Sequence, residues 1–110
     1  MLTEKDYCDL DTSHELWMMG LEPDTYYDGP IILLYEAQKF LREEKGIFVY
    51  IDVPWKTDDG LGWSYFCCNR PMTEEDKEVC FASGGLHDSY EDALLEGVKS
   101  SVQYLKKIDD

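Results

Sequence analysis

Cys8, Cys67, Cys68 and Cys80, with His14 and His87, are the residues of this 110-residue chain with the types needed for metal binding or nucleophilic chemistry. Their spacing argues against both. Zinc sites draw on ligands paired about two to four residues apart on turns. Cys67 and Cys68 are adjacent, so on a strand they point to opposite faces. Cys80 follows Cys68 only after twelve residues, and each histidine stands alone. A Cys–His nucleophile pair would need distant residues to meet in the fold. The four cysteines read as small buried hydrophobes and the histidines as surface residues. No metal, cofactor or catalytic residue is expected.

Carboxylates and glycines give no sharper motif. With 24 acids in the chain, pairs suited to acid–base work arise by chance, and only burial would single one out. Asp58 and Asp59 precede Gly60 in a stretch of turn formers, far too short for the twelve-residue calcium loop. Ser83-Gly84-Gly85 lacks the Lys and Ser/Thr of a phosphate-binding loop, and Gly60-Leu61-Gly62 lacks the rest of a dinucleotide fingerprint.

Charge limits the partner class. The chain carries 24 acidic and 10 basic residues, a net charge of -14. Binding along a nucleic-acid backbone needs Lys and Arg to displace counterions, so direct nucleic-acid binding is not expected. An anionic membrane surface is disfavoured for the same reason. The acid excess is greatest over residues 1–30, with eight acids and one base. The first residues, MLTEKDYCDL, lack the basic and apolar regions of a secretory signal. No apolar run approaches the roughly 20 residues of a membrane span. The expectation is a cytoplasmic protein with reduced thiols.

Aromatic residues supply the clearest functional signal. Trp55, Trp63, Tyr65, Tyr50 and Phe66 gather around one predicted hairpin, with Tyr26 and Tyr27 in an earlier connection. Exposed aromatics are enriched at interaction surfaces. These five hairpin residues form the candidate interaction surface, although core packing explains much of such clustering.

The elements that must position them follow from periodicity. DTSHELWMMG predicts a short helix capped by Thr12 or Ser13, with Glu15 completing a capping box and Gly20 stopping it. Leu16, Trp17 and Met19 would form its apolar side. PIILLYEAQKFLREEKG predicts a second helix, with Pro30 in its first turn and Gly46 at its stop. Its stripe is Leu33, Leu34, Ala37, Phe40 and Leu41. IFVYIDV alternates as a strand, ended by Pro54, and WSYFCCN forms a second, paired as an antiparallel hairpin. A polar connection, with a helical turn at Thr73, leads to a short third strand over Val79–Ala82, after which SGG releases the chain. The closing helix starts at Ser89. Its stripe runs through Tyr90, Leu94, Gly97, Val98, Ser101, Leu105 and Ile108. Gly97 costs about 1 kcal/mol against Ala inside a helix, which points to a close approach to the sheet. The fold class is a single α+β domain over residues 1–110. It has a small antiparallel sheet of about three strands, helices on one face, and the order helix, helix, strand, strand, strand, helix.

Glu36-Ala37-Gln38 and Leu41-Arg42-Glu43, running into a strand, with Tyr90, Ala93, Leu94 and Gly97 in the closing helix, resemble a pattern in small uncharacterised proteins of phages and mobile elements from gut bacteria. That resemblance implies no activity and assigns no functional residue. The helix–three strands–helix order is also similar to the double-stranded RNA-binding fold. That family presents a basic cluster on its closing helix, where this chain has Glu91, Asp92 and Glu96, so RNA binding does not follow.

The expected function is a non-enzymatic protein-interaction module, an accessory protein acting through the aromatic hairpin on a protein partner, with a homodimer as a further possibility. One alternative is an inhibitor whose carboxylates imitate nucleic-acid phosphate and occupy a basic nuclease or defence-protein groove. Another is an enzyme of unknown type, which would need a deep pocket with a perturbed acid or cysteine.

Overall fold

A computed structural model of the chain describes residues 6–23, 25–26, 29–57, 60–69 and 80–108, of which 25, 53–57, 60–61 and 86 are described by backbone alone. Tyr27, Asp58, Asp59, the turn at Thr73 and Val79 lie outside the described residues. The elements run α1 (Leu10–Met18), β1 (Thr25–Tyr26), β2 (Pro30–Ile31), α2 (Leu34–Glu44), β3 (Phe48–Thr57), β4 (Gly60–Cys68), β5 (Cys80–His87) and α3 (Tyr90–Ile108). The α+β class and the order of the main elements are as the sequence predicts.

The antiparallel sheet has the order β3-β4-β5. Val49, Cys67 and Ala82 are register partners across it, and Val49 and Cys67 turn into the core. Strand alternation puts Phe48, Tyr50 and Phe66 on the opposite face, where they are half-buried. The Phe48 and Tyr50 rings stack 6.4 Å apart on that face. The core joins the inner sheet face to the helices through Leu16, Ile32, Leu34, Ala37, Leu41, Ile47, Leu94, Val98, Val102 and Leu105.

α3 is the keel of this core. Ser89 Oγ accepts from Asp92 N at 3.1 Å, the predicted cap. Its buried stripe is Ala93, Leu94, Gly97, Val98, Ser101, Val102 and Leu105; Tyr90 and Ile108, predicted on it, are exposed. A Cβ at Gly97 would meet Val49 Cγ1 at 2.6 Å and the Tyr65 side chain at 3.5 Å. Gly97 O accepts from Ser101 Oγ at 2.9 Å and from Cys67 Sγ at 3.1 Å. A hydrogen bond of 3.1 Å joins Tyr65 OH and Ser100 Oγ. The middle strand is thus stitched to the helix at two successive inward positions.

Several boundaries differ from the sequence expectation, each for a local reason. Asp9, not Thr12 or Ser13, caps α1: Asp9 Oδ1 accepts from Thr12 N at 2.8 Å. Thr12 and Ser13 lie inside the helix and are buried. Pro30 does not open α2. It pairs with Tyr26 in the β1–β2 ladder, and α2 begins at Leu34. The chain N-terminal to α1 is tied to the same segment by Cys8 N donating to Ile32 O at 2.9 Å and by a bridge between Tyr7 and Leu33. Pro54 does not end β3, because an irregularity between Asp52 and Trp55 takes it out of the ladder and pairing resumes to Thr57. Ser83-Gly84-Gly85 does not release the chain either. β5 passes through it with two register shifts against β4. The helix stops are as predicted: Gly20 and Gly46 have φ of 112° and 68°, conformations that suit glycine.

The cysteines are the other correction. Cys68 and Cys80 are register partners on β4 and β5 and are joined by a disulfide, so that pair is not the reduced pair the sequence predicts. Cys8 and Cys67 are free and buried. Among the described residues, no helix is long and apolar enough to cross a membrane.

Candidate functional site

α1 is built the wrong way round for an ordinary surface helix. A surface helix turns its apolar stripe inward and its polar residues outward. Here Thr12, Ser13 and Leu16 face inward and are buried. Leu10, His14, Trp17 and Met18 fall on the other side, at spacings of four, three and one residues. Leu10 is 65%, Met18 70% and Trp17 40% exposed. Tyr26 of β1, 54% exposed, extends the patch. Its ring meets Trp17 edge-on at 6.3 Å, and His14 meets Trp17 at 5.8 Å from the next turn. Single exposed apolar residues are ordinary on a protein surface; here Leu10, Trp17 and Met18 share one side of a helix, with Tyr26 against Trp17.

Buried Leu16 anchors α1 in the core, and two exposed ion pairs link its N-cap and middle to α3. Lys99 Nζ lies 3.1 Å from Asp9 Oδ2 and 3.9 Å from Glu96 Oε1, and Lys106 Nζ lies 3.1 Å from Glu15 Oε1. Six residues on α1 thus match seven on α3, so the helices run side by side in the same direction. Partial burial pushes the Asp9 carboxyl up, but the Thr12 hydrogen bonds and the Lys99 ammonium outweigh it and hold it below its ordinary range. Lys99 is held above its ordinary value by its hydrogen bond to Asp9, against a smaller opposing effect of burial.

Beside the patch, α1, α3 and β5 bound an open groove of about 640 Å³. Asp11, Thr12 and Glu15 form one wall, and Phe81 of β5 forms the other. Phe81 stacks on Tyr104 of α3 at 4.0 Å and 13°. The acid edge of α1 therefore divides the apolar patch from the groove. Lysines of α3 interleave with these acids, so the face is not a uniform row of negative charge.

The predicted hairpin surface is divided between environments. Tyr65 faces α3, half-buried against Gly97 and bonded to Ser100. Trp63 packs edge-on against Tyr90 of α3 at 5.7 Å. Tyr50 and Phe66 are register partners on the opposite sheet face. The Trp55 side chain lies outside the described residues. Of the four whose side chains are described, Trp63 and Tyr65 contact α3 and its flank, while Tyr50 and Phe66 lie on the opposite sheet face. Leu10, Trp17, Met18 and Tyr26 are the surface that sequence reasoning missed. Of the predicted apolar side, Leu16 is buried and Met19 packs against the core, but Trp17 turns outward, where a wheel places it with Leu10, His14 and Met18.

Chemistry is sparse at these surfaces. Among the described residues, no group of three His, Cys, Asp or Glu is placed to hold a metal. Burial, with Asp9 and Glu36 nearby, pushes the Cys8 thiol up to about 12. Burial also raises Cys67, partly opposed by Ser101. Both thiols are poor nucleophiles at neutral pH. Comparisons with known protein families, curated proteins and solved structures return no match.

Proposed function

We propose that this chain is a non-enzymatic interaction module that binds another protein through the outward face of α1. The observation that carries the reading is the exposed apolar side of α1: the helix buries Thr12 and Ser13 beside Leu16 and offers Leu10, Trp17 and Met18 to solvent. Exposing them is unfavourable in the free protein and is relieved when a partner covers them, at about 25 cal/mol per Å² of apolar area. The phosphate-mimic alternative gains no support from the α1–α3 face, where lysines alternate with the acids.

Site-specific photo-crosslinking in the native cells tests the reading. A benzoylphenylalanine at position 18 is expected to give a discrete protein adduct that disappears when Trp17→Ser is added. The same probe at exposed Asp88, beyond the far end of α3 from Lys106, gives none. Equal adducts at both positions, or none at either, would reject the interaction reading.

A further inference from the structure

Resting on that reading, we propose that the partner of the α1 face is a cationic amphipathic helix belonging to another protein. The apolar strip of Leu10, Trp17 and Met18 is about 13.5 Å long, the length of a nine-residue helix. It fits two turns of an incoming helix whose apolar residues recur every three to four positions. Along one border of the strip stand Asp11 and Glu15, one step further round α1. They also wall the groove, which leaves room for the long side chains of such a helix to reach them.

Charge selects among the occupants. From Asp6 to Gln38 the sequence contains no Lys or Arg, so the lysines at this border all come from α3: Lys99 pairs with Asp9, and Lys107 lines the groove. The Lys106–Glu15 pair reaches in from α3 with both side chains well exposed, at 46% and 38%. Such pairs contribute little, so an incoming Lys or Arg can share or replace that contact. A second copy of this chain is the wrong occupant. It would lay one acidic border against another, and each copy carries -14. The acidic border steers a cationic helix in and sets its orientation, while the apolar strip retains it.

The probe is a synthetic amphipathic helical peptide of Leu and Lys, compared with its Leu and Glu counterpart, titrated against the full chain and followed by tryptophan emission. The Leu/Lys peptide is expected to bind with a blue shift that is absent in Trp17→Phe, and the Leu/Glu peptide is expected not to bind. A Leu10→Ser/Met18→Ser double variant, whose circular dichroism should match the parent because both side chains are exposed, is expected to bind at least about tenfold more weakly. Asp11→Asn is expected to weaken binding and flatten its salt dependence. Unchanged affinity in the double variant would mean bulk charge attraction and would overturn the proposal. So would a parent dimer in sedimentation that the double variant disperses, or a blue shift with phosphatidylcholine vesicles. A crosslinked adduct at position 18 with no peptide binding would reject the cationic helix while leaving the protein-binding role intact; absence of both would reject the two together.

Discussion

Val49 Cγ1 lies 2.6 Å from where a Cβ on Gly97 would stand. The contact explains why the longest helix tolerates glycine at its centre. Ala is the better helix former by about 1 kcal/mol, but overpacking a buried contact costs about 1–3 kcal/mol. Gly97→Ala is therefore expected to destabilise the protein by about 1 kcal/mol, read as a lower urea midpoint. In a double-mutant cycle with Val49→Ala, the two changes should couple favourably by about 1 kcal/mol, because shortening Val49 removes the obstruction. A stabilised Gly97→Ala, or strict additivity, would contradict the close approach.

Asp9 serves two ends at once, capping α1 and pairing with Lys99. Asp9→Ala removes both and is expected to cost about 1 kcal/mol at neutral pH. Asp9→Asn keeps a capping oxygen and loses only the charge, so its cost should be smaller, since the pair is exposed and screened. The Asp9 carboxyl is held below its ordinary value in the folded state. Its contribution is therefore complete above the unfolded carboxyl range and lost as pH falls through the folded value. Lys99 is raised, so its contribution is present below the unfolded lysine range and lost as pH rises through the folded value. The difference in urea midpoint between the parent and Asp9→Asn should shrink from neutral pH to about pH 3. A constant difference would remove the ion pair from the account.

Four cysteines divide into two behaviours. Cys8, with its thiol pushed up to about 12, and buried Cys67 should resist iodoacetamide in the native protein and react only on unfolding. The Cys68–Cys80 disulfide spans a sequence separation of twelve, and a loop of that size contributes about 3 kcal/mol at most in the chain-entropy view. Reduction should lower the unfolding free energy, read from urea curves, by no more than that and free two further thiols. Mass spectrometry after alkylation counts both sets. Rapid native labelling of Cys67 would show that α3 does not cover β4.

The sequence carried the fold because α2, β3, β4 and α3 each bury one face against a single core, and a one-sided stripe leaves a clear period. Gly97, Ser89 and Gly46 were legible because each has a local cause. The cysteine pairing was not legible, since register across β4 and β5 decides it and the register shift beside Cys67 has no local signature. The exposed apolar side of α1 was not legible, because Trp17 was assigned inward with Leu16 and Met19. Leu16 does face inward, but it is joined there by Thr12 and Ser13, while Trp17 turns out. Among the hairpin aromatics, Tyr65 and Trp63 pack against α3, a tertiary contact that the strand period alone does not display.

The side-by-side pairing of α1 with α3 also makes one helix depend on the other. Lys106 and Glu15 are 91 residues apart in sequence. Between them in the sequence lie α2 and the sheet, so the contact that orients α1 is among the longest-range in the fold. A nine-residue segment has few local reasons to stay helical on its own. The helicity of α1 is therefore a property of the assembled fold, and loosening α3 would release α1 with it.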